Sequence, residues 1–223
     1  MAAFREAKRQ GADGIELDVH PTRDGQLVVI HDATVQRTTQ GYGPVVNLTL
    51  EQLQSLDAGY KFAPQFSGER IPTLRQVLEF AATNGLMVNV ELKTGPPSYA
   101  GLEELVLRDL RATGMLSRVV VSSFQPQVLM QTRTLDQGVD TALLTGELQA
   151  GSPQHATAIG ATAIHPAFRT VTPALLNEAF QLGLAVRPYT VNDEHVAQRL
   201  AAWGVNAVIT DDPRRIKASR GGP

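Results

Sequence analysis

Two acidic residues alternate with apolar residues near the start of the chain. Residues 14–19 read Gly-Ile-Glu-Leu-Asp-Val, and a β-strand with this pattern places Glu16 and Asp18 on one face and the apolar side chains on the other. Two carboxylates on one face of a buried strand repel each other and are costly to desolvate. A bound divalent cation is the most economical explanation of the pair.

A second apolar strand carries the same kind of pattern. Residues 88–93 read Val-Asn-Val-Glu-Leu-Lys, so Glu91 and Lys93 share one face. Three carboxylates at the carboxyl ends of adjacent strands form a hard oxygen site of the type that Mg²⁺ or Ca²⁺ prefers. The alternative is a structural ion-pair network in which Lys93 neutralises the carboxylates.

His31 stands between the apolar run Val-Val-Ile and Asp32. Histidine is the side chain that exchanges protons most readily near neutral pH. We predict that His31 lies at the end of a short strand, above the carboxylates, where it can act in acid–base chemistry. The other four histidines are interpreted as structural: His20, His155, His165 and His195. For His165, which ends a predicted strand before Pro166, lining of the site is the alternative.

The elements that must position these residues repeat along the chain as helix, glycine and strand. Glycine is typical of the position just past a helix, and short strands that are apolar on both faces are typical of a parallel sheet covered by helices. The first helix has no strand before it. The pattern therefore indicates an α/β fold with seven such strands, at residues 15–19, 86–92, 119–123, 141–144, 162–165, 184–190 and 207–210. The sheet is then either an open seven-stranded α/β sheet or a barrel without its first strand.

One long interval interrupts this rhythm. Thr22-Arg23-Asp24-Gly25 separates two apolar runs, and Asp-Gly in such a place favours a β-hairpin. Residues 27–31 are then a return strand, and residues 34–70 form a long excursion of the kind that builds active sites at barrel mouths. We predict one domain over residues 1–223 that includes this hairpin and loop excursion at residues 20–70.

Composition narrows the classes of function. The 223 residues carry a net charge of −2, which argues against a general nucleic-acid binder. The chain has no cysteine, which excludes disulfide scaffolds, zinc ribbons and thiol catalysis and suits the cytoplasm. No secretory leader is visible at the start, and no apolar run approaches the ~18 residues of a membrane span.

Several motifs, taken in order, closely resemble the glycerophosphodiester phosphodiesterase family over essentially the whole chain. They comprise the segment from Gly11 to Val19, Thr22-Arg23-Asp24-Gly25, Val28 to Asp32, Arg37-Thr38-Thr39, Ile71 to Leu74, Val90 to Lys93, Val121 to Phe124, Tyr189 to Asn192 and Ile209 to Pro213. Each motif alone is weakly diagnostic, whereas the combination is highly specific.

The resemblance implies a (β/α)₈ TIM barrel and metal-dependent hydrolysis of glycerophosphodiesters to glycerol phosphate and an alcohol. It implies Mg²⁺ or Ca²⁺ as cofactor and a small-molecule substrate as partner. The implied roles are metal ligation by Glu16, Asp18 and Glu91, general acid catalysis by His31, phosphate binding by Lys93, and contact with the alcohol by Phe124 and Tyr189. For Phe124, core packing is the alternative.

The chain departs from the family at its start. Family members begin with a strand ending in His-Arg-Gly and a following Pro-Glu-Asn-Thr segment, and neither sequence occurs here. By resemblance, that strand carries a second catalytic histidine. We therefore expect a barrel without its first strand, impaired activity, and self-association through open sheet edges. Two other functions stay open: an inactive module that binds metal and phosphate, and another barrel phosphodiesterase such as a phosphoinositide-specific phospholipase C.

Overall fold

Strands and helices alternate through most of the chain. The structure is a computed structural model that describes residues 1–94 and 99–218. By their contacts these residues form two compact units, one made of residues 1–8 and 13–119 and the other of residues 9–12 and 120 onward. The prediction of one domain over residues 1–223 stays a prediction.

The first unit contains a three-stranded part of the sheet, in the order β2-β1-β3. Strand β1 runs antiparallel to β2 and parallel to β3. The register sets Asp18 of β1 opposite Glu91 of β3, so the two acidic motifs meet on neighbouring strands. The elements are α1 (Ala2–Arg9), β1 (Gly14–Pro21), β2 (Leu27–Val29), α2 (Leu50–Ser55), α3 (Leu74–Asn84), β3 (Met87–Leu92) and α4 (Leu102–Ala112), with 3-10 turns at Val45–Asn47, Pro64–Phe66 and Leu116–Arg118.

The hairpin predicted from the Asp-Gly pair is confirmed. Its turn places Gly25 at a φ of 72°, a left-handed conformation that glycine adopts at little cost. The Thr22 hydroxyl donates to Asp24 and accepts the N–H of Gln26. The return strand is shorter than predicted because the ladder with β1 ends at Val29, so His31 lies beyond it.

The excursion at residues 34–70 packs around its own apolar cluster. Val35, Val45 and Leu53 are fully buried there. The Asp57 carboxylate closes the last part of this segment by accepting hydrogen bonds from the backbone N–H groups of Gly59 and Gly68, at 2.9 and 2.7 Å. These hydrogen bonds lower the pKa of Asp57 to about 2. The excursion is therefore an ordered part of the first unit.

Replacing Gly59 with alanine should destabilise this excursion. A Cβ at position 59 would lie 1.8 Å from the carbonyl oxygen of Phe66, so the backbone would have to move. We expect the free energy of unfolding to fall by roughly 1–3 kcal/mol. The loss is measurable as a melting temperature lower by about 2–4 °C per kcal/mol. Gly146→Ala is the matched control because nothing lies within 4 Å of its added Cβ. Equal melting temperatures for the two variants would contradict the prediction.

The second unit contains four parallel strands in the order β4-β5-β6-β7. Ile164 and Val186 of these strands pack against Leu129, Leu176 and Leu200 of the covering helices. The elements are β4 (Val119–Ser123), α5 (Pro126–Leu135), β5 (Asp140–Thr145), α6 (Ser152–Ala158), β6 (Ala163–Pro166), α7 (Pro173–Gln181), β7 (Ala185–Val186), α8 (Glu194–Ala202) and α9 (Pro213–Ala218), with a 3-10 turn at Phe168–Thr170.

Two strand predictions are wrong in this unit. The strand expected at residues 184–190 is limited to Ala185–Val186, and residues 207–210 form no strand. The two segments do share hydrogen bonds, such as those from Ile209 N–H to Pro188 and from Val191 N–H to Ile209. Pro188 has no N–H to return, so a regular ladder does not continue past Val186.

Candidate active site

The three predicted metal ligands come together in the first unit. One carboxylate oxygen from each of Glu16, Asp18 and Glu91 lies within 4.8 Å of the other two. Period-two alternation brings Glu16 and Asp18 to one face of β1, and the parallel register with β3 adds Glu91. The side chains of Asp18 and Glu91 are only 12% and 11% exposed, and Glu16 is the most accessible of the three. Burial raises the pKa of Glu91 despite its cationic neighbour.

Lys93 supplies the positive charge nearest to this cluster. Its Nζ lies 2.9 Å from Asp18 Oδ1 and 2.6 Å from Glu91 Oε1. Burial alone would lower the pKa of Lys93, but the hydrogen bonds to Glu91 and Asp18 outweigh burial and raise it. The ammonium group therefore stays charged and occupies oxygens that a metal ion would also use. This geometry fits the ion-pair alternative as well as a metal site.

The variant Lys93→Met separates these two interpretations. If Asp18 and Glu91 bind a metal ion, removing the competing ammonium should raise their affinity for Ca²⁺ or Mg²⁺ in calorimetry. The family resemblance also implies that Lys93 binds phosphate, so hydrolysis of a glycerophosphodiester should fall roughly 10²-fold in this variant. Lys61→Met, which removes a lysine of the excursion that bonds the Gln36 carbonyl, is the control. Metal affinity that is unchanged or lower in Lys93→Met would contradict a competing role for Lys93.

His31 follows β2 and lies near this cluster. Its ring is held by a hydrogen bond to Asp32 that the sequence interpretation missed. Its Nδ1 lies 2.8 Å from Asp32 Oδ1, and Arg37 donates two hydrogen bonds to the same carboxylate, at 2.6 and 2.9 Å. The hydrogen bonds from Arg37 and His31 hold the pKa of Asp32 well below its usual range. An ionised Asp32 can only accept, so His31 Nδ1 carries a proton and Nε2 is the nitrogen left to exchange protons.

His20 was interpreted as structural, but the structure places it beside the acidic cluster. It follows Glu16 and Asp18 on the same face of β1 and is buried. Its ring nitrogens lie 3.2 Å from the Tyr99 hydroxyl and 3.2 Å from the His31 carbonyl oxygen. Burial lowers the pKa of His20. No local pattern predicts these contacts, because Tyr99 is 79 residues away.

The two aromatic residues expected at the alcohol end of the substrate lie together in the second unit. Phe124 follows β4 directly and is 48% exposed, which argues against the core-packing alternative. Its ring meets that of Tyr189 edge-on, with centroids 6.4 Å apart. The Tyr189 hydroxyl donates to the Thr145 carbonyl, which fixes that ring.

The structure agrees with a structural role for His165. The side chain is fully buried, and its Nε2 lies 3.3 Å from Arg187 Nη1. Burial and the nearby Arg187 charge lower the pKa of His165 to about 3. The imidazole is therefore neutral at physiological pH and accepts a hydrogen bond from the guanidinium.

The fold and the acidic cluster define a class, the TIM-barrel phosphodiesterases. An Oleispira antarctica phosphodiesterase, solved in complex with the product sn-glycerol-3-phosphate, superposes with a TM-score of 0.87 at 26% identity over 98% of this chain and 89% of its own. A glycerophosphodiester phosphodiesterase from Agrobacterium tumefaciens gives a TM-score of 0.86 at 30% identity, over 97% and 91% of the two chains. The predicted fold class is confirmed.

The chain belongs to the glycerophosphoryl diester phosphodiesterase family, whose model matches residues 1–215. A glycerophosphodiester phosphodiesterase of Caldanaerobacter subterraneus is 40% identical over 219 residues, which are 97% of this chain and 89% of that relative. A protein of this name from Bacillus altitudinis is 35% identical over 96% of this chain. The family assigned by resemblance is thereby confirmed, and it is a family of hydrolases.

Proposed function

We propose that this chain hydrolyses glycerophosphodiesters at a divalent metal site formed by Glu16, Asp18 and Glu91. The observation that carries the proposal is the convergence of these three carboxylates, within 4.8 Å, on adjacent parallel strands. The substrate class follows from the family and from relatives named for this activity. The product bound to the Oleispira enzyme, sn-glycerol-3-phosphate, is the glycerol phosphate that such a reaction releases.

The residues present fit a divalent cation. All three groups offer oxygen, which Mg²⁺ and Ca²⁺ prefer, and carboxylates carry the charge that balances such an ion. Desolvation raises the pKa of Glu91 even beside Lys93, so this carboxylate still lacks full compensation of its charge. When bound, a divalent cation would neutralise charge on the phosphate oxygens and orient the phosphorus for attack.

The reaction needs two further functions from this chain. Water adds to phosphorus and releases one proton to solvent, the bond from phosphorus to the alcohol oxygen breaks, and the departing oxygen takes a proton. His31 is proposed to supply that proton from Nε2, with Asp32 holding the ring through Nδ1. The Lys93 ammonium is proposed to bind the phosphate and to stabilise the negative charge that grows on it.

The alcohol moiety is proposed to contact Phe124 and Tyr189. The support is the exposure of Phe124 and its edge-on packing with the half-buried Tyr189, which leaves aromatic surface accessible after β4. Glycerophosphodiesters are deacylated phospholipids, so the reaction belongs to lipid breakdown. We propose a cytoplasmic location, which a sequence without cysteine suits. Among the helices of the described residues, none has the length and apolar character that crossing a membrane requires.

Product analysis by ³¹P NMR tests this function. Purified protein with Ca²⁺ or Mg²⁺ is incubated with glycerophosphocholine and, separately, with phosphatidylinositol. We expect glycerol phosphate from the first substrate and no phosphorus product from the second. Cleavage of phosphatidylinositol alone would favour a phospholipase C. Metal and glycerol phosphate binding without any turnover would favour a non-catalytic binding module. Either result would overturn the proposal.

A further inference from the structure

His20 joins two residues that are distant from it in the chain. One ring nitrogen, Nε2, lies 3.2 Å from the backbone carbonyl oxygen of His31, and the other, Nδ1, lies 3.2 Å from the Tyr99 hydroxyl. The rings of His20 and Tyr99 also meet edge-on, with centroids 5.8 Å apart at 78°. His20 is only 2% exposed, so these contacts are made inside the first unit and not in solvent.

The direction of each hydrogen bond follows from its partner. A carbonyl oxygen only accepts, so Nε2 of His20 must carry the proton and donate a hydrogen bond to the His31 carbonyl. In a neutral imidazole Nδ1 is then the acceptor, and the Tyr99 hydroxyl donates to it. The three groups form one chain in which Tyr99 fixes the His20 tautomer and His20 holds the His31 backbone.

The His31 backbone lies beyond the regular ladder of the hairpin. The ladder between β1 and β2 ends at Val29, and the hydrogen bond from Ile30 N–H to the Asp18 carbonyl, at 3.1 Å, follows it. The next backbone hydrogen bond along the segment is accepted by the Ala33 carbonyl from Val45 N–H, at 2.9 Å. Between these two hydrogen bonds, the His31 side chain is 65% exposed. Asp32 orients the ring, but Asp32 is the next residue in the same segment and moves with it. His20 belongs to β1, the strand that also carries two of the acidic residues.

We propose that His20, held by Tyr99, is a positioning residue that places His31 relative to the acidic cluster. The proposal rests on the proposed role of His31 as general acid. His20 itself need not touch the substrate: it acts through the His31 carbonyl. Loss of its hydrogen bond should let the His31 segment shift, and the cost should appear in the step that needs the His31 proton.

The test compares two substrates that differ only in the leaving group. Choline in glycerophosphocholine needs a proton to depart, whereas p-nitrophenolate in the p-nitrophenyl diester of glycerol phosphate departs without one. For His20→Leu we expect kcat on glycerophosphocholine to fall about tenfold or more, the range typical of lost supporting hydrogen bonds. KM should stay within about twofold, and the rate on the p-nitrophenyl ester should change little.

Two further variants keep the test decisive. His20→Gln keeps an N–H that can reach the His31 carbonyl and should restore most of the activity. Tyr99→Phe removes only a hydroxyl and should give a smaller, leaving-group-dependent loss; it replaces His20→Leu if that variant does not fold. Equal losses on both substrates, or a loss confined to KM, would overturn the proposal.

The variant His31→Ala distinguishes a failure of the positioning role from a failure of the proposed general acid role of His31. If His31→Ala slows both substrates equally, the general acid role of His31 fails, and the positioning role fails with it. If His31→Ala is leaving-group-dependent while His20→Leu and Tyr99→Phe are not, only the positioning role fails.

Discussion

Asp18→Asn should abolish measurable metal binding and lower kcat/KM by roughly 10²–10⁴-fold. This loss corresponds to several kcal/mol of transition-state charge stabilisation. Asp18 is one of the three clustered carboxylates and also pairs with Lys93 at 2.9 Å, so its loss should affect both the metal site and the placement of the ammonium. The amide keeps the shape of the side chain but lacks its charge. Calorimetric titration with Ca²⁺ and Mg²⁺, alongside an activity assay, measures both effects.

A matched control distinguishes the site from a general effect of removing a carboxylate. Glu104→Gln makes the same chemical change on an exposed position of α4 and should leave metal affinity and turnover as in the parent chain. Melting temperatures of both variants show whether the fold is kept. If Asp18→Asn binds metal as tightly as the parent chain, the three carboxylates are not the metal ligands.

His31→Ala should lower kcat on glycerophosphocholine by about 10²–10⁴-fold, the usual contribution of general acid–base catalysis. Metal affinity should be unchanged, because His31 is not among the three proposed metal ligands. The p-nitrophenyl ester should be hydrolysed at nearly the parent rate, since its leaving group needs no proton. Steady-state kinetics on the two substrates provide the measurement.

The control for this variant is His195→Ala, in the first turn of α8 in the second unit. It removes an imidazole outside the proposed site and should leave both rates unchanged. A metal affinity that falls together with turnover in His31→Ala would mean that His31 ligates the ion or shapes its site. That outcome would contradict its assignment as the general acid.

Local patterns predict the part of the site that depends on strand alternation. Glu16 and Asp18 share a face because side chains alternate along a strand, and two parallel neighbouring strands bring Glu91 level with them. The Asp-Gly turn likewise predicts the hairpin that precedes His31. The capping boxes at Thr49 and Thr73, each with glutamine three residues on, are local as well and start α2 and α3.

The features that the sequence does not predict depend on contacts between residues far apart in the chain, or on whether a backbone can donate a hydrogen bond. The hydrogen bond between His20 and Tyr99 spans 79 residues of the chain, and no local sequence pattern predicts it. The double contact of Lys93 depends on how far a flexible side chain reaches. Residues 207–210 are apolar enough for a strand, yet the opposite segment contains Pro188 and does not complete a ladder.

The most direct test of the proposed chemistry is withdrawal of the metal during turnover. Hydrolysis of glycerophosphocholine by the purified chain in Ca²⁺ is followed by ³¹P NMR, and EDTA is then added. The measured quantity is the ratio of the hydrolysis rates before and after the addition of EDTA. Metal-dependent hydrolysis predicts that glycerol phosphate release stops with EDTA and resumes when Ca²⁺ is restored in excess. Release that continues unchanged in EDTA would contradict it.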